Sequence, residues 1–127
     1  MEVALDTNAL SDFAAGNEDL GRVLQPFRSL ALPAIALGEY RYGLMGSKHQ
    51  ARLSEWLAEL LTDVHILEVK ARTSTVYARV RQQLRKAGTP IPENDVWIAA
   101  SAIEHDLPLL TRDRHFRNVN GLEVLTW

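Results

Sequence analysis

The chain has 127 residues, a formal net charge of −2 and no cysteine. That is the size of one domain, able to bury a sizeable core without a disulfide or structural metal. The composition excludes a disulfide framework, a cysteine-ligated zinc site and a thiol nucleophile. No apolar run approaches the ~20 residues that span a bilayer.

Residues 1–6 lack the basic start and long apolar stretch of a signal peptide, which predicts a soluble, cytoplasmic protein. Residues 3–5 are apolar and end at the polar triplet Asp6-Thr7-Asn8, the pattern of a buried strand followed by a helix start. A first helix over 8–15 stops at Gly16. Asn17 caps a second, with Glu18 and Asp19 in the turn where the helix dipole favours acids. Residues 30–32 predict a second strand. Pro33 suits the first turn of a third helix reaching about Gly46. Ser47 is expected to cap a fourth helix, whose Leu53, Trp56, Leu57, Leu60 and Leu61 form one amphipathic stripe.

Residues 65–69 read as a third strand. A long helix over 70–87 follows, with Val76, Tyr77, Val80 and Leu84 on one face and Gly88 as its stop. After the stiff Thr89-Pro90-Ile91-Pro92, Asn94 is expected to cap a helix that is apolar nearly all round and therefore buried. Residues 107–111 and 122–125 complete five strands. Short apolar strands alternating with helices predict an α/β fold with a parallel sheet covered on both faces.

Two acids sit at strand ends, where open α/β sheets bind ligands. Asp6 follows the first strand, and Asp113 follows the fourth with only Arg112 between. If those strands are neighbours, their carboxylates meet at the point where strand order reverses. Asp6 also fits a plain helix cap, and Thr-Arg-Asp-Arg also fits an exposed loop. Glu39 lies on a helix with Ile35 and Ala36 a turn before it and Tyr42 and Gly43 a turn after. A carboxylate on such an apolar face is costly to bury unless paired or bound to a cation. Gly43 there leaves room for something to approach. Asp95 opens the most apolar helix beside Glu93 and Asn94, more polar groups than a cap requires. Gathered in one pocket, these acids would repel one another. A hard divalent cation such as Mg²⁺ resolves the repulsion and suits phosphodiester hydrolysis.

The slightly acidic net charge hides local basic runs. Lys70, Arg72, Arg79, Arg81, Arg85 and Lys86 crowd one segment, and Arg112, Arg114, His115 and Arg117 another. Such runs serve either as solvated faces or as phosphate contacts. His49 and His105 read as surface residues, His65 as a strand-edge residue, and His115 as structural or phosphate-contacting. Trp56 and Trp97 fall on apolar stripes and read as core, while Trp127 can cover the core or a partner surface. The first two helices carry Leu10, Phe13, Ala14, Leu20, Val23 and Leu24, enough apolar surface for packing on the sheet or for a partner.

Four blocks now stand in order: Leu5-Asp6-Thr7-Asn8-Ala9-Leu10; Gly38-Glu39-Tyr40-Arg41-Tyr42-Gly43; Pro92-Glu93-Asn94-Asp95-Val96-Trp97-Ile98-Ala99-Ala100; and Leu110-Thr111-Arg112-Asp113-Arg114-His115-Phe116. Together they resemble the motifs of PIN-domain nucleases, most closely the VapC toxins of bacterial toxin–antitoxin pairs. The resemblance spans essentially the whole chain as one domain, 1–127. It implies a three-layer α/β/α sandwich on a central, mostly parallel five-stranded sheet. It also implies an endoribonuclease using Mg²⁺ or Mn²⁺, a homodimer, and a VapB-like antitoxin as partner. Structured RNA such as transfer RNA is the implied substrate. Asp6, Glu39, Asp95 and Asp113 would form the catalytic and metal-binding acids. Thr7 and Asn8 would orient Asp6, and Thr111 would contact metal-bound water. Arg79, Arg85, Lys86, Arg112 and Arg114 are the residues expected to hold RNA phosphates.

Two other readings remain open in the sequence. A Mg²⁺-dependent phosphoryl-transfer domain also places Asp after the first strand, but haloacid-dehalogenase-type phosphatases carry a second Asp where Asn8 stands, and receiver domains carry a paired acid and a late lysine. A non-catalytic RNA-binding domain would not need four intact acids.

Overall fold

A computed structural model describes all 127 residues. Five parallel strands form one sheet in the order β3-β2-β1-β4-β5: β1 is Glu2–Leu5, β2 Ser29–Pro33, β3 His65–Leu67, β4 Leu109–Leu110 and β5 Val124–Leu125. Val3, Ala4 and Leu5 are buried in succession, as are Ala31 and Leu32, because helices cover both faces of a parallel sheet. Six helices flank it: α1 Thr7–Ala14, α2 Glu18–Leu24, α3 Ala34–Met45, α4 Gln50–Leu60, α5 Ala71–Lys86 and α6 Glu93–Glu104. None is long and apolar enough to cross a membrane.

The chain winds from β1 outward to β3, then crosses back to β4 on the other side of β1. The reversal therefore lies between β1 and β4, with Leu5 opposite Leu110. Asp6 and Thr111, one residue further on, stand side by side at the carboxyl edge. The Asp6 N–H still donates to the Leu110 carbonyl at 3.3 Å, and the Thr111 N–H to Leu125 at 2.9 Å. This is the crevice where doubly wound sheets place their ligands.

Local signals explain most boundaries. Gly16 (φ +74°) and Gly88 (φ +73°) end α1 and α5 in the left-handed conformation that other residues resist. Asn17 accepts the Leu20 N–H at 3.0 Å and caps α2. Asn17→Ala is expected to cost about 1 kcal/mol in urea denaturation, with the m-value unchanged.

Other boundaries differ from expectation. Ser47 does not cap α4. Its hydroxyl accepts the His49 N–H at 3.0 Å in the preceding turn, and the helix starts at Gln50 without a side-chain cap. Asn94 does not cap α6 either: Pro92 holds the cap position and Asn94 lies inside the first turn. Three strands are shorter than the apolar runs. The Leu107 N–H turns back to the Ala102 carbonyl at 2.9 Å and Pro108 has no N–H, so β4 begins only at Leu109. Lys70 already sits at the α5 N-cap, which frees Glu68 and Val69 from β3.

Trp56 and Trp97 are half-buried rather than enclosed. Trp56 meets Phe13 and Tyr40 edge-on at 5.7 and 6.4 Å, and Trp97 stacks on Tyr77 at 3.9 Å. His105 is also half-buried, its Nδ1 2.9 Å from the Ser101 carbonyl and its ring edge-on to His65. On α1 and α2, Leu10, Leu20 and Leu24 are buried and Phe13, Ala14 and Val23 pack against the same core. Their apolar surface serves packing first. The large apolar side chains left exposed on α3 are Tyr42 and Met45.

Candidate active site

Asp6 follows β1 directly and is only 4 % exposed. Its Oδ1 accepts the Ala9 N–H at 2.8 Å, capping α1, while Oδ2 accepts the Thr111 hydroxyl at 2.5 Å. Capping and site-building are thus shared between two oxygens of one carboxylate. Thr111, 1 % exposed, also accepts the Asp113 N–H at 2.9 Å. A single buried hydroxyl therefore ties the acids of β1 and β4 together.

Asp113 opens the short 3-10 helix Arg114–Asn118. Its Oδ1 accepts the His115 N–H at 2.9 Å and lies 3.0 Å from His115 Nδ1. Phe116, 1 % exposed, anchors that turn in the core. Glu39 enters from α3. Its Oε1 accepts the Thr7 hydroxyl at 2.8 Å and its Oε2 the Asn94 amide at 3.4 Å. Asp95 enters from the first turn of α6.

The carboxylates are close enough to alter one another's proton affinity. Burial pushes the Asp95 carboxyl up from 3.8 to about 6; Asp113, Glu39 and Asp6 push the same way, and His115 opposes them. Burial also raises Asp6, against the hydrogen bonds of Thr111 and Ala9, with Asp113 and Glu39 adding to the rise. No lysine or arginine pairs with any of the four acids; their one ion-pair partner is His115. Asp95, Asp113 and His115 each bring a ligand atom within 4.8 Å of the others. Crowded acids without a basic neutraliser, plus an imidazole, are a donor set that fits a divalent cation.

The PIN domain family model matches residues 3–122. The chain belongs to the PIN domain family. It is 31 % identical to ribonuclease VapC5 of Mycobacterium tuberculosis over 119 residues, 92 % of this chain and 87 % of that one. Its fold matches VapBC2 from Rickettsia felis, solved with a promoter DNA fragment, at a TM-score of 0.89 and 26 % identity, covering 100 % of this chain and 99 % of that one. VapBC-1 from nontypeable Haemophilus influenzae follows at 0.83 and 27 %, covering 100 % and 98 %.

Within this PIN domain, Asp95 and Asp113 bring ligand atoms together with His115, and Asp6 and Glu39 lie near enough to act on Asp95 electrostatically, while several supporting contacts differ from expectation. Thr7 does not orient Asp6. As the first residue of α1 it turns its hydroxyl to Glu39. Asn8 is exposed and makes no side-chain hydrogen bond to Asp6. Thr111 does that orienting instead. Glu39 does not sit on a buried apolar face either, because Tyr42 is 79 % exposed and Gly43 is open. The helix buries Ala36, Tyr40 and Leu44, leaving Glu39 half-buried at the stripe's margin.

The expected RNA contacts divide along α5, which runs antiparallel to α6. Arg85 borders a cavity with Glu93 and Val96, at the Asp95 end. Arg79 lines grooves with Ile103 and Glu104, roughly 13 Å along α6 from Asp95. Lys86 is exposed, and Arg114 is exposed beside Asp113. Arg112 lies over the Trp127 ring at 4.8 Å and donates Nε–H to the Trp127 carbonyl at 3.2 Å. Asn94, expected as a cap, and His115, expected as a structural or phosphate-contacting residue, are the further polar neighbours of the acids. The signal for Asn94 was its position between two acids; for His115 it was its place two residues after Asp113.

Proposed function

We propose that this chain is a divalent-metal-dependent endoribonuclease, the toxin of a VapBC-type pair. The observation that carries the reading is the cup of four carboxylates at the β1–β4 reversal, unneutralised by any lysine or arginine. The names of its relatives support the same reading: ribonuclease VapC5 is similar across most of the chain, and the similar folds were solved as VapBC complexes. A VapB-like antitoxin and a second copy of the chain are the proposed partners, RNA the substrate, and the cytoplasm the compartment. Structured RNA, transfer RNA first, is the substrate to test.

Asp6, Asp95 and Asp113 would hold Mg²⁺ or Mn²⁺, with Glu39 completing the site. The bound ion supplies positive charge against the negative charge that develops on the phosphoryl oxygens. Glu39 accepts a proton from the attacking water, whose oxygen bonds to phosphorus as the bond to the 3′ oxygen breaks, and the departing 3′ oxygen takes a proton from solvent. The products are a 3′ hydroxyl and a 5′ phosphate. Thr7 and Asn94 keep the Glu39 carboxylate aimed by donating to its two oxygens. Thr111 holds Asp6 against Asp113. Arg85, Lys86 and Arg114 would take flanking phosphates, with Arg79 and Arg112 further along the strand, a contribution that weakens with salt.

Sequencing RNA ends after incubation with the protein and Mg²⁺ tests this directly. Ends carrying 5′ phosphate are expected. A 2′,3′-cyclic phosphate would contradict it, because it marks attack by the ribose hydroxyl. Thr111→Val should lower cleavage about 10–100-fold, since it removes the hydroxyl that orients one acid and satisfies the loop carrying another. Single-turnover rates across Mg²⁺ concentrations check this.

A further inference from the structure

We propose that His115 gives the acidic cup a nitrogen ligand and so tunes it toward transition divalent ions, Mn²⁺ above Mg²⁺. The inference rests on the metal-site reading above and goes beyond its carboxylates. His115 Nδ1 lies 3.0 Å from Asp113 Oδ1. Two donors on adjacent corners of an octahedron, each ~2.1 Å from the ion, are ~3.0 Å apart. Asp95 offers its oxygen within the same 4.8 Å cluster.

The imidazole is held there by its own turn. The His115 N–H donates to Asp113 Oδ1, and the adjacent Phe116 is locked in the core. Arg114 and Arg117, the arginines of the same turn, cannot act as ligands, because a guanidinium has no free lone pair. His115 is thus the imidazole nitrogen that shares a ligand cluster with Asp95 and Asp113. Its side chain is 54 % exposed and has no other hydrogen-bond partner that would hold the ring away. Mg²⁺ prefers oxygen ligands throughout, whereas imidazole nitrogen suits transition ions. A single nitrogen among the oxygens shifts the preference without excluding either metal.

The test titrates Mn²⁺ and Mg²⁺ into the metal-free full-length chain, with His115→Ala and His115→Gln in parallel. Pulsed electron paramagnetic resonance reads the ligands of bound Mn²⁺. Wild type should show coupling to a ¹⁴N nucleus that both variants lack. The Mn²⁺ dissociation constant should rise about 10-fold or more in the variants, and that of Mg²⁺ less than about 3-fold. Circular dichroism of the variants should be unchanged, since the side chain is exposed. Bound Mn²⁺ without nitrogen coupling would overturn the proposal and leave the carboxylate cup standing. Equal losses for both metals would likewise overturn it, making His115 an ordinary ion-pair partner of Asp113. A wild-type chain that binds neither metal would sink the cup itself.

Discussion

Asp6→Asn should abolish RNA cleavage, by at least ~10³-fold or ~4 kcal/mol of barrier, while leaving the fold intact. The substitution separates the two jobs of this side chain. Asparagine caps helices as well as aspartate does, so its oxygen can still accept the Ala9 N–H. Its amide can donate to the Thr111 oxygen, which gives up its own bond to Asp6 in return. What disappears is the buried negative charge at the sheet reversal. Cleavage of RNA in Mg²⁺ and growth on induction are the readouts, with thermal unfolding as the control. Activity within a few-fold of wild type would mean that the acid is only a cap.

Asp95→Asn should stabilise the metal-free protein at the same time as it removes activity. In the folded chain the Asp95 carboxyl is raised from 3.8 to about 6, first by burial and then by Asp113, Glu39 and Asp6. The folded state therefore binds this proton more tightly than the unfolded chain does. Its contribution is fully favourable below about pH 4 and is lost as pH rises through about 6. The full difference corresponds to ~3 kcal/mol. Partial exposure and solvent screening bring it to about 1–2 kcal/mol. Asparagine carries no such charge, so in EDTA at pH 8 the variant should unfold at higher urea than wild type. The gap should close toward pH 4. Added Mg²⁺ should stabilise wild type at pH 8 and the variant much less. A variant less stable than wild type at pH 8 without metal would show that Asp95 is already neutralised by something else.

The fold was legible because its signals are local and repeated. Apolar triplets between amphipathic stretches foretold five strands, and Gly16, Asn17 and Gly88 marked helix ends where they lie. The adjacency of β1 and β4 made Asp6 and Asp113 a pair, as the position of each at a strand end suggested. What the sequence hid were partner choices made across long separations. Thr7 could orient the neighbouring Asp6, but its hydroxyl reaches Glu39 on another helix instead. Asn94 looks like a cap in sequence, yet Pro92 takes that place and the amide turns across to α3. Thr111, expected to contact metal-bound water, shows its bond to Asp6 only when β1 and β4 pair, because the two residues are 105 positions apart in sequence. The face of Glu39 was misjudged because the helix buries the stripe one position further round, through Tyr40 rather than Tyr42.

Diffraction from crystals grown with Mn²⁺, recorded where manganese scatters anomalously, tests the central claim most directly. A peak is predicted between β1 and β4, within about 2.3 Å of carboxylate oxygens from Asp6, Asp95 and Asp113. An empty cup at saturating Mn²⁺, or an ion bound elsewhere with these side chains turned apart, would contradict the account.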